Sequence, residues 1–206
     1  MHRPLNSIEI ELKVNLTIVQ QPFTFDYKYG VIIVRYEQIR KFDVTNGPGI
    51  RTSLFVTGCS NNCPGCFNKE LQDFNHGKLW TKEVEDEFIS YVNNPQVVGV
   101  SLLGGDPMEQ TMDNSMISLL DRIKKETKKD IWLWSGYTYE EILADDKKRE
   151  ILSYVDVLID GRFIIAQRNI KLKYRGSENQ RVIDVNKSLE ENRIVEAASN
   201  GLNKSK

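Results

Sequence analysis

From Ile8 to Ile18 apolar and polar residues alternate without a break (Ile8, Ile10, Leu12, Val14, Leu16 and Ile18 against Glu9, Glu11, Lys13, Asn15 and Thr17). That is the period-two signature of a strand with one buried face. Phe23, Phe25, Tyr27 and Tyr29 resume it after Gln21-Pro22, so residues 7–34 predict a β-hairpin or a small antiparallel sheet. The turn-rich Thr45-Asn46-Gly47-Pro48-Gly49 then precedes Thr52-Ser53-Leu54-Phe55-Val56, a short buried strand that delivers the chain to Cys59. Apolar positions next recur at helical spacing. Val84, Phe88, Tyr91 and Val92 share one face of a helix over 82–93, with Thr81 placed to cap it and Pro95 beyond its end.

Residues 97–103 read as a buried strand that stops at Gly104-Gly105-Asp106-Pro107. A second helix is predicted over 115–128, a strand over 131–134, a third helix over 139–154 and a strand over 155–159. Strand and helix alternate, so an α/β chain with a mostly parallel sheet and right-handed crossovers is expected. In such sheets ligands sit beyond the carboxyl ends of the strands. The cysteine loop, the Gly104 loop and Ser135-Gly136 all fall there. Trp132 and Trp134 alternate with Leu133, which makes core packing the default for both. After Asp160 the pattern weakens into a polar loop over 174–181, and residues 186–206 form a polar, lysine-ended tail, either helical or without fixed structure.

Composition narrows what this scaffold does. A chain of 206 residues, 40% hydrophobic, suits one packed body with an appendage. With 28 Lys and Arg against 29 Asp and Glu, and a net charge of −1, no global field draws in nucleic acid or an anionic membrane. Apolar runs fall short of the roughly 18 residues of a membrane helix, and a cytoplasmic protein is expected. The three cysteines all lie within eight residues. In a reducing compartment such an odd, clustered set is a poor disulfide framework and a good metal site.

Cys59-x3-Cys63-x2-Cys66 lets three thiolates wrap one corner of a compact iron-sulfur cluster and supplies no fourth ligand, leaving one iron open. Zinc is the alternative, with His76 as the nearby fourth ligand. At Gly104-Gly105 a backbone can approach a ligand closely, and Asp106 offers an acceptor for an ammonium group.

Taken together, the Cys-x3-Cys-x2-Cys loop after a strand and the Gly-Gly-Asp-Pro turn after the next one resemble the radical S-adenosylmethionine (SAM) superfamily. Thr45-Asn46-Gly47-Pro48-Gly49-Ile50-Arg51-Thr52 resembles the Asn/Asp-Gly-Pro-Gly-x-Arg segment of enzymes that activate glycyl-radical proteins. Residues 132–137, 156–161 and 174–181 are similar to one subgroup, the activating proteins of anaerobic ribonucleoside-triphosphate reductase. Two departures from the wider superfamily, Gly65 with Phe67 around the last cysteine and Asp106 in place of glutamate, are similar to that subgroup too. The match spans residues 35–185, leaving 1–34 as an N-terminal β-hairpin extension and 186–206 as the tail.

The resemblance implies a partial (β/α) TIM-like barrel with an open side. It implies a 4Fe-4S cluster on Cys59, Cys63 and Cys66, with S-adenosyl-L-methionine chelating the open iron. It places Gly104, Gly105 and Asp106 at the methionyl end of SAM, and Gly65 and Phe67 beside the adenine or the cluster. Ser135 is either a ribose contact or a turn hydroxyl. Arg175 and Arg181 are either contacts for a partner or a SAM carboxylate, or solvated loop residues, and only its motif suggests a function for Arg51. The implied reaction makes a 5′-deoxyadenosyl radical that installs a glycyl radical on the reductase, with a small electron donor such as flavodoxin or ferredoxin. Two rivals stand beside it: activation of another glycyl-radical enzyme such as pyruvate formate-lyase, and a non-catalytic zinc-stabilised interaction module.

Overall fold

A computed structural model describes residues 34–197, together with the backbone of 25–26 and 31–32. In the N-terminal stretch β1 (Phe25–Asp26) pairs antiparallel with β2 (Val31–Ile32). The rest of the hairpin expected over 7–34 lies outside the described residues.

The body is a seven-stranded sheet. Its strands are β3 (Arg35–Asp43), β4 (Arg51–Val56), β5 (Lys78–Leu79), β6 (Gly99–Gly104), β7 (Asp130–Trp134), β8 (Val157–Asp160) and β9 (Arg181–Asp184), in the spatial order β5-β3-β4-β6-β7-β8-β9. Strands β4, β6, β7 and β8 run parallel. The expected mostly parallel sheet is nevertheless a mixed one, because β3 pairs antiparallel with both β4 and β5, and β9 pairs antiparallel with β8. Strand β3 escaped the periodicity reading for a physical reason. Its register shifts between Tyr36 and Gln38 and again between Arg40 and Asp43, and each irregularity breaks the two-residue alternation that marks a strand.

Five helices join these strands. Helix α1 (Lys82–Val92) begins where the Thr81 hydroxyl accepts from the Val84 N–H at 3.4 Å. Helix α2 (Ser115–Arg122) passes into a wider π turn over Ile123–Thr127 and stops at Lys128, which takes φ +54°. The single helix expected over 139–154 is two: α3 (Tyr139–Leu143), closed by a Thr138/Glu141 capping box, and α4 (Asp146–Leu152). Asp145 causes the break. Its carboxylate accepts from the N–H groups of Lys147 and Lys148, and an N-cap of that kind begins a new helix instead of continuing the old one. Helix α5 (Val185–Glu191) follows β9, and the returning chain pairs with β9 through Asp184 N to Val195 O and Ala197 N to Val182 O, at 2.9 and 2.8 Å. The first part of the presumed tail therefore packs on the sheet. Among the described residues no helix is long and apolar enough to cross a membrane.

Alternation along the central strands splits the sheet into unlike faces. Leu54, Val56, Val100, Leu102, Ile131, Leu133, Leu158 and Ile183 join Phe88, Leu119, Leu120, Ile142 and Ile151 of the helices in one apolar core. Their neighbours in sequence point the other way. Register sets Ser53 beside Ser101, Phe55 beside Leu103, and Ser101 beside Trp132, building a second face of aromatic and polar side chains. The candidate site lies at the carboxyl end of that face.

Candidate functional site

Strand β4 ends at Val56, and the backbone of the next residues is tied down before the first cysteine is reached. Gly58 N donates to Leu71 O at 2.8 Å and Cys59 N to Gln72 O at 3.1 Å. The end of β6 is laced to the same place, with Gly105 N on Val56 O at 2.7 Å and Asp106 N on Gly58 O at 2.9 Å. This crossing dictates the glycine pair. Gly104 holds φ +114° and a Cβ on it would lie 2.5 Å from Val56 O, while a Cβ on Gly105 would lie 2.5 Å from Gly58 O and 2.8 Å from Leu71 O. Those obstacles are backbone atoms fixed by hydrogen bonds, so any side chain here would force the two loops apart.

Cys59, Cys63 and Cys66 are free and half-buried, and all three line one cavity of about 360 Å³. Gly104, Gly105, Asp106, Ser135 and Phe67 line it as well, whereas Gly65 packs beneath Ile165 and is not among the lining residues. Phe67 is 65% exposed at the rim, its ring 5.1 Å from that of Phe163. Burial, aided by the carboxylate of Asp106, pushes the Cys59 thiol up to about 12; Cys63 is also raised, mainly by burial and against a hydrogen bond from the Phe163 backbone. Protons thus stay on these two sulfurs at neutral pH, and a metal cation binding there would have to displace them. Three free thiols on one open cavity, backed by a glycine cradle that admits no side chain, fit a cluster with three protein ligands and a small molecule beside it.

Asp106 is 1% exposed and joins three loops. Its Oδ1 accepts from Met108 N at 3.0 Å; its Oδ2 accepts from Asn61 Nδ2 at 3.1 Å, Ser135 Oγ at 3.1 Å and Gly136 N at 2.9 Å. Burial nonetheless raises its carboxyl to about 7, against the pull of these donors. The Ser135 hydroxyl is engaged at both ends, since it donates to Asp106 and accepts from Tyr137 N at 3.0 Å.

Two contributors carried no signal of their own in the sequence. Glu109 accepts from the Ser60 N–H at 2.9 Å, from the Ser60 hydroxyl at 2.8 Å and from the Tyr137 hydroxyl at 3.3 Å, clamping the cysteine loop to the turn after β6. Asn61 reaches both Asp106 and, at 3.5 Å, the Cys59 sulfur. The Ser60–Glu109 and Asn61–Asp106 contacts each span more than forty residues of chain, and only the fold creates them.

The arginines separate by role. Arg51 is fully buried, paired with Asp130 at 2.6 Å and donating to Ser101 Oγ at 2.8 Å and Val100 O at 2.7 Å. Ser101 in turn donates to the carbonyl of Asn46, which with Thr45 forms part of the cavity wall. Asp43 holds that wall from the other side through Thr45, Asn46 and Ser53; burial works to raise its carboxyl, and these hydrogen bonds bring it down to about 2. Arg181 is committed to Asp160 and Glu140, whereas Arg175 lines the cavity with one nitrogen on Gln180 O at 2.6 Å. His76 pairs with Glu37 at 3.0 Å and does not line the cysteine cavity, so the fourth ligand invoked for zinc is not brought to it.

A carrier of one iron-sulfur cluster is the class that this site defines, and residues 45–183 match the family model described as a 4Fe-4S single cluster domain. Over 150 residues, 71% of this chain and 96% of the relative, the chain is 43% identical to the anaerobic ribonucleoside-triphosphate reductase-activating protein of Vibrio cholerae. It is 39% identical to the protein of that name from Escherichia coli, with the same shares covered. The chain belongs to the family of anaerobic ribonucleoside-triphosphate reductase-activating proteins.

Proposed function

We propose that this protein binds a 4Fe-4S cluster and S-adenosyl-L-methionine and installs a glycyl radical on the anaerobic ribonucleoside-triphosphate reductase. The observation that carries the reading is the convergence of three free cysteines and the Gly104-Gly105-Asp106 turn on one cavity, in a chain of the activating-protein family. When bound and reduced, the cluster supplies an electron that splits SAM into methionine and a 5′-deoxyadenosyl radical, which takes hydrogen from a glycine Cα.

The chain's own residues hold and orient. The thiolates of Cys59, Cys63 and Cys66 would ligate iron. Gly104 and Gly105 keep the wall at the methionyl end free of side chains, and Asp106 fixes the mutual position of the cysteine loop and the Ser135-Gly136 turn. Phe67 stands at the rim of the cavity, and Gly65, at φ +72° before the last cysteine, leaves room for Ile165, whose Cδ1 would lie 2.4 Å from a Cβ there. Ser135 acts through Asp106, because its hydroxyl is already engaged. In this reading the sheet is a partial barrel, residues 35–185 are its catalytic body, and residues 1–34 are an extension of it. A cytoplasmic location accords with the free thiols, and the reaction calls for a small electron donor of the flavodoxin or ferredoxin kind.

Protein purified without oxygen is expected to be brown, with about four irons per chain. With dithionite and SAM it should release 5′-deoxyadenosine, and the reductase added to that mixture should show a glycyl radical by electron paramagnetic resonance. Cys63→Ser should abolish both signals. Undiminished SAM cleavage by that variant would remove Cys63 from the ligand set, and a colourless protein loaded with zinc would sink the whole reading.

A further inference from the structure

Residues 162–175 contain five cations (Arg162, Arg168, Lys171, Lys173 and Arg175) and no acid, in a chain whose net charge is −1. The same stretch leaves Ile164, Ile165 and Ile170 exposed at 39%, 54% and 84%. It is an ordered loop, not a slack one. Glu178 N donates to Gln167 O at 2.9 Å, Asn169 N to Gly176 O at 3.2 Å, and Ile164 N to Ser177 Oγ at 3.2 Å. Isoleucines held out in water by an ordered backbone, with Arg168 laid 5.3 Å from the exposed ring of Phe67, have the composition of an interface core.

The position of the loop says what would cross it. Phe67 and Arg175 belong both to this surface and to the wall of the cysteine cavity, and the backbone of Phe163 touches Cys63. A polypeptide that brings one of its Cα atoms into the cavity from this side passes over the loop. The loop's charge selects that polypeptide: carboxylates are drawn in and basic segments are repelled.

We infer that the loop over 162–175, together with Phe67, is the docking surface for the protein substrate, and that it receives a segment presenting apolar side chains flanked by carboxylates. The inference rests on the activating function proposed above and assigns it a surface. The test uses the cluster-loaded protein and the reductase, with a triple variant, Ile170→Asp, Lys171→Glu and Lys173→Glu, whose side chains are all exposed.

SAM cleavage with dithionite and no reductase should stay within about twofold of the parent. Affinity for the reductase should fall at least tenfold and the glycyl radical yield should fall with it. Added salt should weaken the parent complex more steeply than the variant complex. Unchanged affinity would overturn the inference. So would a defect confined to reduction by a flavodoxin-type donor, since that would assign the surface to the electron carrier. A parent protein that cleaves SAM yet neither binds the reductase nor gives it a radical would overturn the function itself, and the surface with it.

Discussion

The two faces of the central sheet are made from the same strands, one residue apart, and they do opposite work. On the helix side Leu102, Val100, Leu133 and Leu158 are fully buried among other hydrocarbons. On the cavity side the same strands turn Ser53, Ser101 and Arg51 inward, buried just as deeply but held by hydrogen bonds and an ion pair. Burial alone therefore does not distinguish the core from the site. What distinguishes them is the cost of error: a missing methyl group leaves a void, whereas a missing hydrogen-bond partner leaves a buried polar atom stranded and lets a loop drift.

Adjacent residues on β6 put this contrast to the test. Leu102→Ala is expected to lower stability by about 2–5 kcal/mol, the range for truncating a buried leucine. Iron content per folded molecule should not change, as read by urea unfolding beside iron analysis. Loss of the cluster at full stability would break the division between the faces.

Asp43 offers a sharper probe, because its charge holds the cavity wall without touching the cysteine loop. Its carboxyl lies near 2 in the folded protein, below the ordinary value of about 4 that it regains on unfolding. The contribution is therefore complete above about pH 4 and is lost as pH falls through about 2. It amounts to about 2 kcal/mol. Urea midpoints at pH 5 and pH 3 should diverge less in Asp43→Asn than in the parent, and equal divergence would remove Asp43 from this role.

The smallest effect is expected for Ser101→Ala, which strands Arg51 Nε and frees the Asn46 carbonyl. It should cost about 1 kcal/mol of stability. Its larger mark should be a several-fold drop in 5′-deoxyadenosine formation as the Thr45-Asn46 wall loosens. A stability loss as large as that of Leu102→Ala, with cleavage intact, would mean that the second face is merely more core.

Legibility followed the range of the interaction. Strands β4, β6, β7 and β8 and helix α1 announced themselves because their apolar positions repeat within a few residues. The cysteine trio did so because its spacing is local. Strand β3 did not, since its bulges erase the alternation, and the split of α3 from α4 turned on a single capping carboxylate, Asp145. Arg51 stood out only through its motif; the structure gives it a physical task, the support of Ser101 and through it of Asn46.

By itself the sequence determined which stretches form the central strands and that three cysteines share one short loop, because hydrophobic period and cysteine spacing are properties of neighbouring residues. It could not determine that Asn61, Glu109 and Ser135 would meet around Asp106 and the cysteine loop. Nor could it say that Arg51 would lie beneath the wall while Ile165 and Ile170 faced water. Those outcomes depend on which loops share the carboxyl end of the sheet, and strand order and register decide that only after the chain has closed on itself.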